Sequence, residues 1–149
     1  MQRNKVKVAL EVFDLVHTLD RLELADRLQF LLTEHWPGRR LEVLLEVNVG
    51  EEPQKAGALP EEAAELLEHT LSCDCLDVRG LMAIPPWGLE PEESRPYFRA
   101  LREIRDELQQ QFGVPLPELS MGMSQDYEVA IAEGATLVRV GTAIFGRRG

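Results

Sequence analysis

The stretch ELSMGMSQDYEVAIAEGATLVRVGTAIFGRRG, residues 118–149, decides the reading of this chain, because it holds two strand-to-turn junctions in succession. The first, Leu119-Ser120-Met121-Gly122-Met123-Ser124, opens a helix carrying Tyr127, Ile131 and Ala132. That places Ser124 where an N-cap hydroxyl and free backbone N–H groups face outward. The second, Leu137-Val138-Arg139-Val140-Gly141-Thr142, is a short β-branched strand running into a Gly-Thr turn whose N–H groups can approach an oxyanion closely. Strand alternation turns Arg139 inward. Two such turns from successive units make a cup for one phosphate.

Working outward from this end, the same strand-then-helix rhythm recurs. Asn4 to Leu10 reads as the end of a helix, Phe13 to Thr18 as a strand, and Asp20 as the N-cap of a helix with Leu24, Leu28, Leu31 and Leu32 on one stripe. Leu41 to Val49 reads as a buried parallel strand whose Glu42 and Glu46 belong near its ends or on its outward side. Pro60 opens a helix with Ala63, Leu66, Leu67 and Leu71 inward, and Val78 to Ile84 is the third strand. The next helix carries Phe98, Leu101, Ile104 and Leu108 and ends at Gly113. The fourth strand is Glu118 to Met123, and Gly134 is the C′ residue before the fifth. Five βα units imply a parallel sheet with ligand chemistry at the carboxyl ends of its strands. A complete eight-unit barrel needs at least about 200 residues. The 149 residues therefore fit a single domain, either a small open sheet or part of such a barrel, in which the last two loops commonly hold phosphate.

Composition narrows the partners. A formal net charge of −10 repels nucleic acid and anionic membrane surfaces at long range, so any phosphate site must be local. No apolar run approaches a membrane span and no signal-peptide pattern is present, which makes the cytoplasm the expected location. Cys73 and Cys75 flank Asp74 with no second ligand pair in the sequence, so they read as two reduced thiols rather than a zinc site. His17 reads as structural or pocket-lining, and His35 and His69 as solvent-facing. No nucleophile–His–Asp arrangement or metal spacing stands out.

The segments FDLVHTLDR, VNVGEEPQKAG, RGLMAIPP, LSMGMSQDYEVAIAEG and ATLVRVGTAIFG, in this order and spacing, closely resemble the pyridoxal phosphate homeostasis protein family, the YggS/PROSC group. That group is similar to the barrel domain of alanine racemase and binds pyridoxal 5′-phosphate (PLP). The resemblance implies a partial TIM (β/α)8-type barrel made of strands 4–8 of the family barrel. It also implies that the first three βα units, with the cofactor lysine in its VSK-type strand, are absent from this chain. None of Lys5, Lys7 and Lys55 stands in that context. Carried over residue by residue, Ser124 would give its hydroxyl to the phosphate, and Gly141 and Thr142 would supply N–H groups and a second hydroxyl. Arg139 would face the pyridine nitrogen, Met82, Met121 and Met123 would line the ring's apolar surroundings, and Asn48 would add one polar contact.

The expected function is PLP binding and vitamin B6 and amino-acid homeostasis without catalysis, with PLP held non-covalently or weakly. Lys55 is the one lysine placed to react in place of the family's own. Two alternatives remain from the sequence: a PLP-dependent amino-acid racemase-like enzyme, and an inert or split-gene fragment requiring an N-terminal partner. An incomplete barrel also predicts self-association, or capture of a complementing fragment, through its open edges.

Overall fold

A computed structural model describes residues 6–146 of the chain. Five strands pair in parallel in strictly sequential order, β1 (Leu15–Leu19), β2 (Leu41–Glu46), β3 (Leu76–Met82), β4 (Glu118–Met123) and β5 (Leu137–Arg139). Sequential parallel order without a reversal is the arrangement of a barrel rather than of a doubly wound sheet. The molecule is accordingly a partial TIM-type barrel. The helices are α1 (Val6–Val12), α2 (Leu22–His35), α3 (Ala63–Leu71), α4 (Arg95–Phe112), α5 (Tyr127–Ala132) and α6 (Thr142–Phe145).

The main core lies between sheet and helices. Leu24, Leu28, Leu31 and Leu32 of α2 are buried together with Leu66 and Leu67 of α3, Phe98 and Leu101 of α4, and alternate strand residues Leu41, Val43, Leu45, Leu119 and Met121. Leu44 and Met82 are also buried but stand apart from this cluster, on the barrel's inner side. Two glycines let neighbouring elements approach. A Cβ on Gly80 would lie 1.8 Å from the Glu118 carbonyl oxygen, so β3 and β4 can pair closely only with hydrogen there. Gly122 has φ +94°, and a Cβ on it would lie 2.6 Å from the Ala130 Cβ. It brings the end of β4 directly under α5.

Several local expectations are corrected. Asp20 does not cap α2; the N-cap position is Arg21, without a side-chain cap bond, and the Asp20 carboxylate instead accepts from the Arg21 guanidinium at 2.7 Å. The first strand starts at Leu15, because the Phe13 N–H still donates to Ala9 O and closes α1. Asn4 and Lys5 lie outside the described residues. The second strand ends at Glu46; Val47 then forms a lone parallel bridge with Ala58, which folds the following loop back on the sheet. Leu71 is exposed, since the inner stripe of α3 runs through Ala63, Leu66, Leu67 and Thr70 at helical spacing. In α5 the buried residues are Val129 and Ala130, while Ile131 and Ala132 face solvent. His69 is half-buried and paired with Asp26 rather than solvent-facing. Gly113 (φ +64°) and Gly134 (φ +101°) end their helices in the left-handed region as expected.

Outside the sheet, α4 is tied to the end of α5 through one carboxylate. Glu133 is buried and accepts from Arg95 at 3.1 Å and Arg99 at 3.2 Å, while Arg102 lies 3.1 Å from its other oxygen. Arg99 first, then Arg95, holds this carboxyl below the usual carboxylate range. Among the described residues no helix is long and apolar enough to cross a membrane.

Candidate functional site

At the carboxyl end of β4 and β5 lies a cleft of about 410 Å³. Its walls include Met123, Ser124, Asp126, Arg139, Gly141 and Thr142 from the two strand ends, Lys55 from the loop after β2, and Ile84 to Leu89 from the loop after β3. Of the residues singled out in the sequence, the fold thus brings Met123, Ser124, Arg139, Gly141 and Thr142 into one wall.

Ser124 does not cap α5. That helix is preceded by Asp126, whose Oδ1 accepts from the Met123 N–H at 2.8 Å and shapes the turn. The Ser124 hydroxyl crosses to the next unit instead, where its Oγ accepts from the N–H groups of Gly141 and Ala143, both at 3.1 Å. The two junctions are therefore physically joined. A Cβ added at Gly141 would meet nothing within 4 Å, so no neighbouring atoms crowd this face of the turn.

Arg139 points inward and makes up the cleft's polar floor. Its Nη1 donates to Ser120 Oγ at 2.6 Å and to Ser120 O at 3.2 Å, and Nη2 donates to Ala83 O at 3.0 Å. Ser120 Oγ also meets His17 Nδ1 at 2.9 Å. A polar chain thus runs from β5 through β4 to β1 on the barrel's inner side. Burial, then the Arg139 charge, holds the His17 imidazole below its ordinary value of 6.5. Burial works against the Arg139 charge, and Glu46 and Asp126 support it. Glu46 itself, buried at the end of β2, has its carboxyl pushed up by burial and by Asp20, with Arg139 acting in the opposite sense.

Met82 and Asn48 sit outside the cleft wall. The strand register pairs Met82 with Glu46 on one side and Ser120 on the other, which puts it on the inner side beneath Arg139 and its partners. Met121 faces the helices and belongs to the main core. Asn48 is engaged by its own loop: Nδ2 donates to Glu52 O at 2.8 Å, and Oδ1 accepts from Glu52 N at 3.2 Å. Lys55 borders the cleft with its Nζ donating to Pro85 O at 2.9 Å and paired with Glu52 at 2.8 Å. Ser120 and the His17–Ser120 contact were not singled out by sequence reasoning. Their partners stand 103 residues apart, and strand parity on β4 is the only signal that points Ser120 inward.

All of residues 1–149 match the family model described as alanine racemase, N-terminal domain. The pyridoxal phosphate homeostasis protein of Aquifex aeolicus is 53% identical over 148 residues, which are 99% of this chain and 64% of that protein. The protein of the same name from Haemophilus influenzae is 40% identical over 151 residues and 62% of its length. The chain thus spans somewhat under two thirds of the curated relatives it matches. Among solved structures, PipY of Synechococcus elongatus PCC7942 with PLP bound is 41% identical with a TM-score of 0.87, over 98% of this chain and 67% of PipY. An alanine racemase from Clostridium difficile 630 shares the fold at 14% identity, with a TM-score of 0.74.

Proposed function

The chain belongs to the alanine racemase N-terminal domain family, and from that premise we propose that its cleft binds pyridoxal 5′-phosphate in vitamin B6 homeostasis, holding it non-covalently or weakly and without catalysis. The observation that carries this reading is the joined pair of turns: two backbone N–H groups, those of Gly141 and Ala143, converge on one oxygen inside a cleft floored by a guanidinium. Convergent N–H donors with a nearby hydroxyl are the donor set a phosphate dianion needs. The cleft volume of about 410 Å³ falls within the range of small-molecule sites, roughly 300–1,000 Å³. The residues present fit the group.

In this reading Ser124 and Thr142 would give their hydroxyls, and Gly141 and Ala143 their N–H groups, to the phosphate. Arg139 would face the pyridine nitrogen. Because a guanidinium keeps its proton, it would leave that nitrogen unprotonated and the ring a poor electron sink. When bound, PLP supplies a reactive aldehyde and an electron-accepting ring. Met123 would cover one side of the ring, Met82 would back the floor, and Asn48 would act by holding the loop that carries Lys55. The names and bound ligand of the relatives support the choice of PLP.

Edge exposure supports a further part of the reading, association through the sheet margins. Among the described residues β1 and β5 are the outer strands. Beside them Val8, Val12 and Phe13 on one margin, and Val138, Ile144 and Phe145 on the other, are exposed. Unpaired parallel edges with apolar flanks recruit a second copy or a complementing segment. Sedimentation of the 149-residue chain over a concentration series tests this, and a monomer at all concentrations overturns it.

The test of the binding site is titration of the purified chain with PLP and, in parallel, with pyridoxal lacking the phosphate. PLP should bind more tightly, and Arg139→Gln should weaken it. Equal affinity for the two ligands sinks the phosphate assignment. Borohydride reduction followed by peptide mapping should give no stoichiometric pyridoxyl adduct; a stoichiometric adduct overturns the non-covalent reading, and one on Lys55 assigns that lysine.

A further inference from the structure

Away from the cleft, on the outer helical layer, the fold assembles three different metal-binding groups. Asp26 on α2, His69 on the last turns of α3 and Cys73 just beyond α3 each offer one ligand atom, and these atoms all lie within 4.8 Å of one another. His69 Nε2 and Asp26 Oδ1 are 2.7 Å apart. Cys73 follows the C-cap Ser72, and its Sγ donates to His69 O at 3.6 Å, which holds the thiol beside that residue. Cys73 is buried, while Asp26 is exposed, so the cluster is closed on its sulfur side and open to water on its carboxylate side.

We propose that Asp26, His69 and Cys73 form a Zn²⁺ site that clips α2 to the turn leading from α3 into β3. One thiolate, one imidazole and one carboxylate are the ligand types zinc takes, and a water on the open side completes a tetrahedron. In such a site ligand atoms stand about 3.3–3.6 Å apart, as follows from metal–ligand bonds of about 2.0–2.3 Å. The Asp26–His69 pair has to open slightly, and the sulfur, which lies within 4.8 Å of both, to close by no more than about 1.2–1.5 Å. Side-chain rotation supplies movements of that size. Binding breaks the Cys73 S–H bond and the His69 Nε2–H bond that faces Asp26; the imidazole takes a proton back on Nδ1, Zn–S, Zn–N and Zn–O bonds form, and one proton per neutral site is released to solvent. The thiolate and carboxylate then balance the two charges of the metal.

An ordinary ion pair between helices accounts for Asp26 and His69 alone. It does not require a thiol within reach of both. The sequence pattern Cys73-Asp74-Cys75 suggests a paired-cysteine site, but Cys75 is turned elsewhere. Its Sγ meets Thr33 Oγ1 at 3.6 Å, and Thr33 stands seven residues along α2 from Asp26. A seven-residue step is about 10 Å along a helix.

The test uses the full chain stripped of metal by a chelator, then titrated with Zn²⁺ in competition with a chromophoric chelator and with Co²⁺ for its spectrum. One Zn²⁺ per chain is expected, with a thiolate-to-cobalt charge-transfer band. Cys73→Ser should remove that band. Asp26→Asn, an exposed position that leaves packing intact, should weaken Zn²⁺ by more than about 100-fold, beyond the roughly 10–100-fold that groups behind the ligands control. Cys75→Ser should bind like the parent. The proposal fails if no cobalt band forms, if Asp26→Asn binds Zn²⁺ like the parent, or if Cys75→Ser loses binding as fully as Cys73→Ser.

Discussion

The helix-facing and inner sides of the sheet are made from alternating residues of the same strands, yet they are organised differently. Toward the helices, Leu41, Val43, Leu45, Leu119 and Met121 join one apolar cluster with residues of α1 to α5. Toward the barrel interior, Glu46, Ser120 and Arg139 set polar groups around the apolar Met82, and His17 joins them through Ser120. The first side holds the fold by area removed from water; the second holds a charged group in position by directed bonds. Stability and site geometry should therefore respond to different substitutions.

The largest effect is expected on the helix-facing side. Phe98→Ala removes a fully buried ring and should cost about 3–5 kcal/mol in urea unfolding. Met82→Ala, on the inner side, should cost less; equal losses would break the distinction between the sides. Next is Gly80→Ala, whose Cβ would collide with the Glu118 carbonyl. Forcing β3 from β4 should cost about 1–3 kcal/mol or more. It should also move Ser120 relative to Met82, so hydrogen exchange along β4 should accelerate, whereas a change confined to the helices would count against the close approach.

Smaller still is Ser124→Ala. Loss of a hydroxyl that accepts from two N–H groups compares with loss of a helix cap, about 0.5–2 kcal/mol. Chemical-shift changes should concentrate at Gly141 to Ala143, and an effect spread through α5 would return Ser124 to the capping role. The smallest effect is the pH response of His17. Its folded value lies below 6.5, so the unfolded chain binds the extra proton as pH falls. The His17 contribution is present above pH 6.5 and is lost as pH drops toward the folded value. Subtracting the stability profile of His17→Gln from that of the parent should give a difference rising with pH across this window. A flat difference would contradict the burial of the imidazole. Since burial ranks above Arg139 as the cause, Arg139→Gln should restore only part of the shift.

How legible each side was follows from the same contrast. Helix stripes such as Leu24-Leu28-Leu31-Leu32 announce themselves, because a period of 3.6 is visible in the chain itself. The strand Glu118–Met123 was legible to its ends, and the inward aim of Arg139 followed from alternation. Turn-level detail was not. Asp20 and Ser124 are both residue types that cap helices, but each found a stronger partner outside its own helix, Arg21 for one and the Gly141 turn for the other. The His17–Ser120 contact depends on register across four strands, β1 to β4, including an irregular step in the β1–β2 pairing, which no local pattern encodes. Asp26, His69 and Cys73 come together for the same reason: two helices must first be laid side by side.

The Ser124 hydroxyl has one more consequence. Because it already occupies the N–H groups of Gly141 and Ala143, the anion of the proposed reading would enter an exchange reaction rather than an empty receptor. What is measured as affinity is then the margin by which the newcomer outcompetes a resident neutral acceptor. Charged oxygens accept N–H bonds about twice as strongly as neutral ones, so under the proposed reading a phosphate would win that contest and an uncharged ligand would gain nothing from entering it. On that proposal the turn would discriminate by displacement, with the chain's own Ser124 as the reference competitor.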